Sequence, residues 1–250
     1  MEMSGEAANL SPPRRARWGP WTTIGWGIGV VIVMMITQTI GATLYLVWFK
    51  LSYPDRALPI ESIGTNGPLL TFAFLISTPF VLAYLLLPAR LAHVSFADFY
   101  ALKWPRGRDI AIGAVALAIV LMISGLAASA SGQEMPEFMT QTFATARAAG
   151  MIPLFAFSFV VLPPVQEELM FRGLLYRGLA PAIGPAPTIA LTAAVWSVIH
   201  LQYDWFFVGE IFALGLTLGW IRWKSDSTLL TMMLHATING LALLQMAIGD

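Results

Sequence analysis

Long apolar stretches without a single charge alternate with short polar breaks from residue 21 to the end of the 250-residue chain. The uncharged runs cover residues 21–49, 67–88, 110–130, 148–166, 178–203, 211–221 and 227–249. A helix needs about 20 mostly apolar residues to cross a bilayer. The pattern therefore predicts an all-α polytopic membrane helix bundle with about seven (six to eight) transmembrane helices. Trp18, Trp21 and Trp26 at one end of the first run, with Tyr45 and Trp48 at the other, fit an aromatic belt. Two breaks, 95–104 and 136–148, are amphipathic enough to lie in the membrane interfaces.

Composition sharpens this picture. Hydrophobic residues make up 57% of the chain and charged ones 11%, against about 25% charged in soluble domains. No long polar stretch remains to build a soluble domain, and a net charge of zero points to no nucleic-acid partner. The partner that composition does imply is the lipid bilayer. The chain has no cysteine, which excludes disulfides, thiolate nucleophiles and thiolate metal ligands. Any metal would rest on histidine and carboxylate.

Charge placement predicts orientation. The polar tail, residues 1–20, carries Arg14, Arg15 and Arg17, and the apolar run behind it is too long for a cleaved signal peptide. It reads as a retained signal anchor with a cytoplasmic N-terminus. The inside segments then also hold Arg90, Lys103, Arg106, Arg108, Arg177, Arg222 and Lys224, whereas the outside ones hold Lys50, Arg56 and Arg147. That is the positive-inside bias.

Within this apolar chain the segment PPVQEELMFRG, residues 163–173, stands out. An ionised group at mid-membrane costs about 2.5–3.5 kcal/mol, so Glu167, Glu168 and Arg172 left alone would cost on the order of 8–10 kcal/mol. Glu168 and Arg172 are spaced i,i+4 with the acid first, the favourable order for a helical ion pair. Glu167 is rotated about 100° from that face, free to point into a cavity. The alternative is a packing network of all three. Downstream, Trp196 lies one turn before His200, and His235 one turn before Asn239. An imidazole beside a carboxamide suits metal ligation, an oxyanion hole or plain interhelical hydrogen bonds. If the fourth helix ends near Gly178 and Gly184, Pro185 and Pro187 turn the chain at the cytoplasmic face, these groups meet in one layer of the membrane's inner half, in a polar cavity open to the cytoplasm. Together they supply a general base, a second proton-handling group and oxyanion donors. Ser197 points away from His200, so an activated water is the better nucleophile. Glu210 sits toward the outer end of its helix, outside this layer. Gly215 and Gly219 mark a closely packed helix face.

The ordered motifs Glu167-Glu168-x-x-x-Arg172, Trp196-x-x-x-His200 and His235-x-x-x-Asn239 resemble those of the CPBP (Abi) intramembrane proteases, relatives of the type II CAAX prenyl endopeptidase. Trp196 departs from the family's usual Phe. The resemblance covers roughly 150–247, which makes that region a catalytic membrane domain behind the 1–20 tail and three N-terminal helices within 21–149. It implies an endopeptidase acting on a membrane-anchored protein or peptide, in a bacterial inner (plasma) membrane. Glu167 and His200 would activate water, His235 and Asn239 would hold the oxyanion, and Glu168 and Arg172 would brace the helix. It also admits a zinc-dependent version with Glu167, His200 and His235 as ligands. Two other classes remain open: a transporter or proton relay, and a non-catalytic immunity or scaffold protein.

Overall fold

The structure, a computed structural model, describes residues 19–249. The tail with Arg14, Arg15 and Arg17 lies outside the described residues. Among those residues there are helices and no strand. They run α1 (Pro20–Ser52), α2 (Gly67–Leu91), α3 (Phe96–Phe99), α4 (Gly107–Ser131), α5 (Glu137–Ala148), α6 (Ile152–Val160), α7 (Leu162–Glu168), α8 (Tyr176–Ile183), α9 (Pro185–Val198), α10 (Trp205–Ser225) and α11 (Thr228–Gly249). A π-helical stretch, Leu169–Leu175, joins α7 to α8.

Among the described residues, six segments are long and apolar enough to span a membrane: α1, α2, α4, the continuous Ile152–Ile183, α10 and α11. The seventh expected span is shorter than the run 178–203 suggested. Residues up to Ile183 complete the previous helix, Gly184 turns the chain at φ +85°, and helix resumes only over Pro185–Val198. Its 14 residues reach roughly 21 Å, less than a hydrocarbon core of about 30 Å. The chain therefore leaves the helix while still inside the bundle, and His200 lies in that turn. The two interfacial segments appear as the short α3 and as α5.

Many large apolar side chains face outward, among them Ile32, Met35, Ile36 and Ile40 on α1 and Met122, Ile123 and Leu126 on α4. Lipid is the solvent that suits them. Inside the bundle, small residues allow close approach. A Cβ on Gly41 would meet the α2 backbone at 2.9 Å, and one on Gly215 would meet Ala193 of α9 at 2.9 Å. The Gly215/Gly219 face thus packs on α9, with Ile189 against Gly219.

At one end of the bundle Asp226, in the α10–α11 turn, pairs with Lys103 and with Arg222. Arg177 donates to the carbonyls of Asp98 and Phe99 there. The other end carries the 53–66 connection and α5, tied together where Thr145 Oγ1 accepts from the Gly67 amide at 2.8 Å.

Candidate active site

The Ile152–Ile183 span is built around its irregularities. Pro163 has no amide hydrogen, so the carbonyl four residues earlier, Phe159, loses its helical donor. Asn239 of α11 supplies a replacement: its Nδ2 donates to Phe159 O at 2.9 Å. That bond fixes the carboxamide and leaves its second N–H and its oxygen free.

A similar device holds His200. The end of α9 tightens, with the His200 amide donating to Ser197 O rather than to Trp196 O. The orphaned Trp196 carbonyl instead lies 2.7 Å from His200 Nδ1. A carbonyl only accepts, so Nδ1 carries the proton and Nε2 of the neutral ring is left with its lone pair.

His235 of α11 is fixed by a carboxylate. Its Nδ1 lies 3.0 Å from Glu168 Oε1, the same oxygen that accepts from Arg172 Nη1 at 2.9 Å. Glu168 and Arg172 are 0% and 1% exposed, so each neutralises a charge that could not stand alone there. The expected Glu168–Arg172 clamp forms, and it also orients His235, a link that sequence spacing did not show. Arg172 spends another donor on Gly215 O at 3.1 Å, and Arg222 Nε caps Arg172 O at 3.1 Å.

Trp196 lies at the centre of the cluster, 3% exposed. Its Nε1 donates to Glu167 Oε2 at 2.6 Å. Its ring meets those of His200 and His235 edge-on at 5.5 and 5.2 Å, and the Arg172 guanidinium sits 4.7 Å from its centroid. Four helical segments thus bring Glu167, Glu168, Arg172, Trp196, His200, His235 and Asn239 into one polar cluster in an apolar bundle.

Two cavities meet there. One, about 130 Å³, has Glu167, Phe159, Phe138 and Thr71 in its wall. The other, about 240 Å³, runs past Trp196, Ile211 and Ala242 to Gln133 and Glu134. His200, His235, Asn239 and Tyr203 line both.

Two expectations change. Glu167 is at the midpoint of the 32-residue Ile152–Ile183 span, because the helix runs past Gly178 to Ile183. The cavities extend toward the α5 end, away from Lys103 and Asp226, whereas a cavity open at the basic end was expected. Glu210, set aside on depth, lines the larger one.

Sequence reasoning also missed Tyr203. Its ring stacks on His200 at 6.2 Å and meets Phe138 of α5 edge-on at 5.5 Å. Burial, then the nearby Glu167 charge, pushes its phenol above the usual tyrosine range, so it keeps its proton. Its position three residues after His200, in a short helix break, was the available signal. Among the described residues, no three His, Asp or Glu side chains are grouped to hold a metal ion. Trp196 holds one oxygen of Glu167, and Glu168 and the Trp196 carbonyl hold His235 and His200 through Nδ1.

Residues 148–241 match the family model described as Type II CAAX prenyl endopeptidase Rce1-like. No curated protein and no solved structure matches the chain.

Proposed function

We propose, from the match of residues 148–241 to the Type II CAAX prenyl endopeptidase Rce1-like family model, that this integral membrane protein is an endopeptidase that hydrolyses a peptide bond of a membrane-anchored protein or peptide with an activated water. The observation that carries the reading is the pinning of His200 through Nδ1 beside the Trp196-bound carboxylate of Glu167. Two proton acceptors, Glu167 and His200, then line the smaller cavity together.

In this scheme a water between them gives a proton to Glu167 as its oxygen attacks the carbonyl carbon. The oxyanion of the tetrahedral intermediate takes hydrogen bonds from the free Asn239 N–H and from His235 Nε2 in its protonated form. Nδ1 meanwhile donates to Glu168 Oε1. Collapse breaks the C–N bond, and the proton held by Glu167 passes to the leaving amine, directly or through His200. One proton of the water ends on the amine, and the other leaves from the new carboxyl group as it ionises, so the step balances. The apolar surround strengthens each of these contacts by excluding bulk water.

The test is Glu167→Gln, which keeps the shape and an acceptor for the Trp196 indole but removes the base. Loss of a positioned general base typically costs 10²–10⁴-fold. Hydrolysis by the reconstituted variant is expected to fall by at least about 10²-fold, with the protein still folded and unaffected by metal chelators. A phenotype unchanged by Glu167→Gln would instead fit a scaffold or immunity protein.

A further inference from the structure

The candidate site is closed on one side and open on the other. Toward the basic end lies a buried, interlocked layer. Arg222 bonds Arg172 O and Asp226, Ser227 Oγ donates to Lys103 O at 2.6 Å, and the Thr228 amide donates to Ala101 O at 2.9 Å. Arg172, Arg222, Ser227 and Thr228 are all 5% exposed or less. This layer ties α10, α11, the π-helical stretch and the 101–103 connection into a floor beneath His235.

Toward the opposite end the larger cavity continues as a cleft. Packing of α4 explains it. The buried residues of α4 are Gly113 and Leu117, both near the basic end, where a Cβ on Gly113 would touch Leu234 of α11 at 2.9 Å. Beyond Leu117 no residue of α4 is buried. Past Leu117 only the half-buried Val120 and Leu121 pack on the core, while Met122, Ile123 and Leu126 face outward, so the second half of α4 covers the bundle loosely. The resulting cleft is walled by Ala128 of α4, Ile211 of α10 and Ala242 of α11, and it leads to His200 and His235.

The positive-inside rule supplies the orientation. Lys103, Arg106, Arg108, Arg177 and Lys224 lie at the floor with Asp98, Asp109 and Asp226, whereas the cleft end carries Asp55, Glu61, Glu134, Glu137 and Asp204 with Lys50, Arg56 and Arg147, so the excess of bases is at the floor. The geometry points to a site served from the non-cytoplasmic half of the bilayer. A polypeptide anchored in that leaflet enters sideways through the α4–α10–α11 cleft and is cut on its non-cytoplasmic side. This rests on the endopeptidase reading. The acidic and basic side chains lining the cleft are two carboxylates, Glu134 and Glu210, with no lysine or arginine. A substrate with a Lys or Arg beside its anchor complements them.

The chain has no cysteine, so single thiols report cleanly. Ala242→Cys and Ala128→Cys place one in the cleft, and Arg108→Cys places one at the basic end, where that side chain is 77% exposed. Each full-length variant is treated with a membrane-impermeant maleimide in right-side-out and in inverted sealed vesicles. At least one cleft thiol is expected to react from the non-cytoplasmic side only, and Arg108→Cys from the cytoplasmic side only. A head-group maleimide phospholipid in the non-cytoplasmic leaflet should modify the same cleft thiol. Cytoplasmic labelling of a folded cleft variant, or no labelling from either side, would overturn the proposal. Reaction with the lipid reagent alone would make the cleft a lipid site and overturn the peptide occupant. Glu167-dependent cleavage found only at cytoplasmic positions would reject the sidedness while sparing the protease reading. The absence of any Glu167-dependent cleavage would reject that reading, and the thiol pattern would still report which side opens.

Discussion

Trp196 donates its indole N–H to Glu167 at 2.6 Å, sets its ring edge-on to both histidines and carries the Arg172 guanidinium on one face. A Phe, the residue usual in the resembling family, reproduces the ring packing but has no N–H. Hydrogen bonds to charged groups are worth about 1.5–3 kcal/mol, and a carboxylate released from one is free to rotate away from the water. Trp196→Phe is expected to lower kcat by roughly 10-fold or more, with little change in KM or thermal stability. Steady-state kinetics beside a melting curve checks this; equal losses of activity and stability would make Trp196 a packing residue only. At this scale the sequence was informative. The i,i+4 spacings of Glu168 with Arg172 and of His235 with Asn239 fixed shared helix faces before any coordinates. Which atom of Trp196 points where depends on packing between two helices distant in the chain, and spacing does not encode that. The same holds for the bond from His235 to Glu168.

Among the elements, helix breaks do as much as helices. Pro163 frees the Phe159 carbonyl that Asn239 then occupies. Pro163→Ala restores an amide donor to that carbonyl, so Asn239 loses its anchor while the helix gains a bond. Activity is expected to drop about 5–10-fold, the worth of one hydrogen bond, with stability unchanged or higher; kinetics and unfolding of the same preparation would show it. The α10–α11 turn gives a second prediction. Burial alone would raise the Asp226 carboxyl, but hydrogen bonds from Lys103 and Arg222, with their charges, outweigh it and hold it below the usual carboxylate range. A depressed folded-state value means that Asp226 contributes stability fully above the unfolded value of about 3.9 and loses it as pH falls through the folded one. Thermal unfolding of Asp226→Asn in detergent, followed from pH 7 to 3, should show a shallower acid loss than the parent. An identical slope would mean that the pairs contribute nothing. Hydropathy located these elements to within a few residues, and Gly184, Pro185 and Pro187 marked the turn inside the run 178–203. A charge-free run does not reveal that helix stops at Val198.

For the molecule as a whole, hydropathy and charge bias together gave the fold class and a basic end. They put the polar residues in one layer, but nearer the cytoplasmic face than mid-span, and said nothing of their place in the plane of the membrane. The direction in which the cavity opens depends on the light cover that α4 gives beyond Leu117 and on α5 at the far end, both consequences of packing. The basic end is sealed by an ion-paired layer, and the reactive groups hang from irregular backbone inside an otherwise regular bundle. Such backbone in a bilayer is tolerated where it is buried in protein or lines a cavity. A transporter built on two similar halves would repeat those breaks in its first half. There α1 runs unbroken from Pro20 to Ser52.

The most direct test compares protein termini by mass spectrometry in membranes of cells producing the parent or Glu167→Ala at equal levels. Hydrolysis predicts a set of new termini close to membrane segments that is present with the parent and absent with the variant. Identical termini in the two, under several growth conditions, would contradict it.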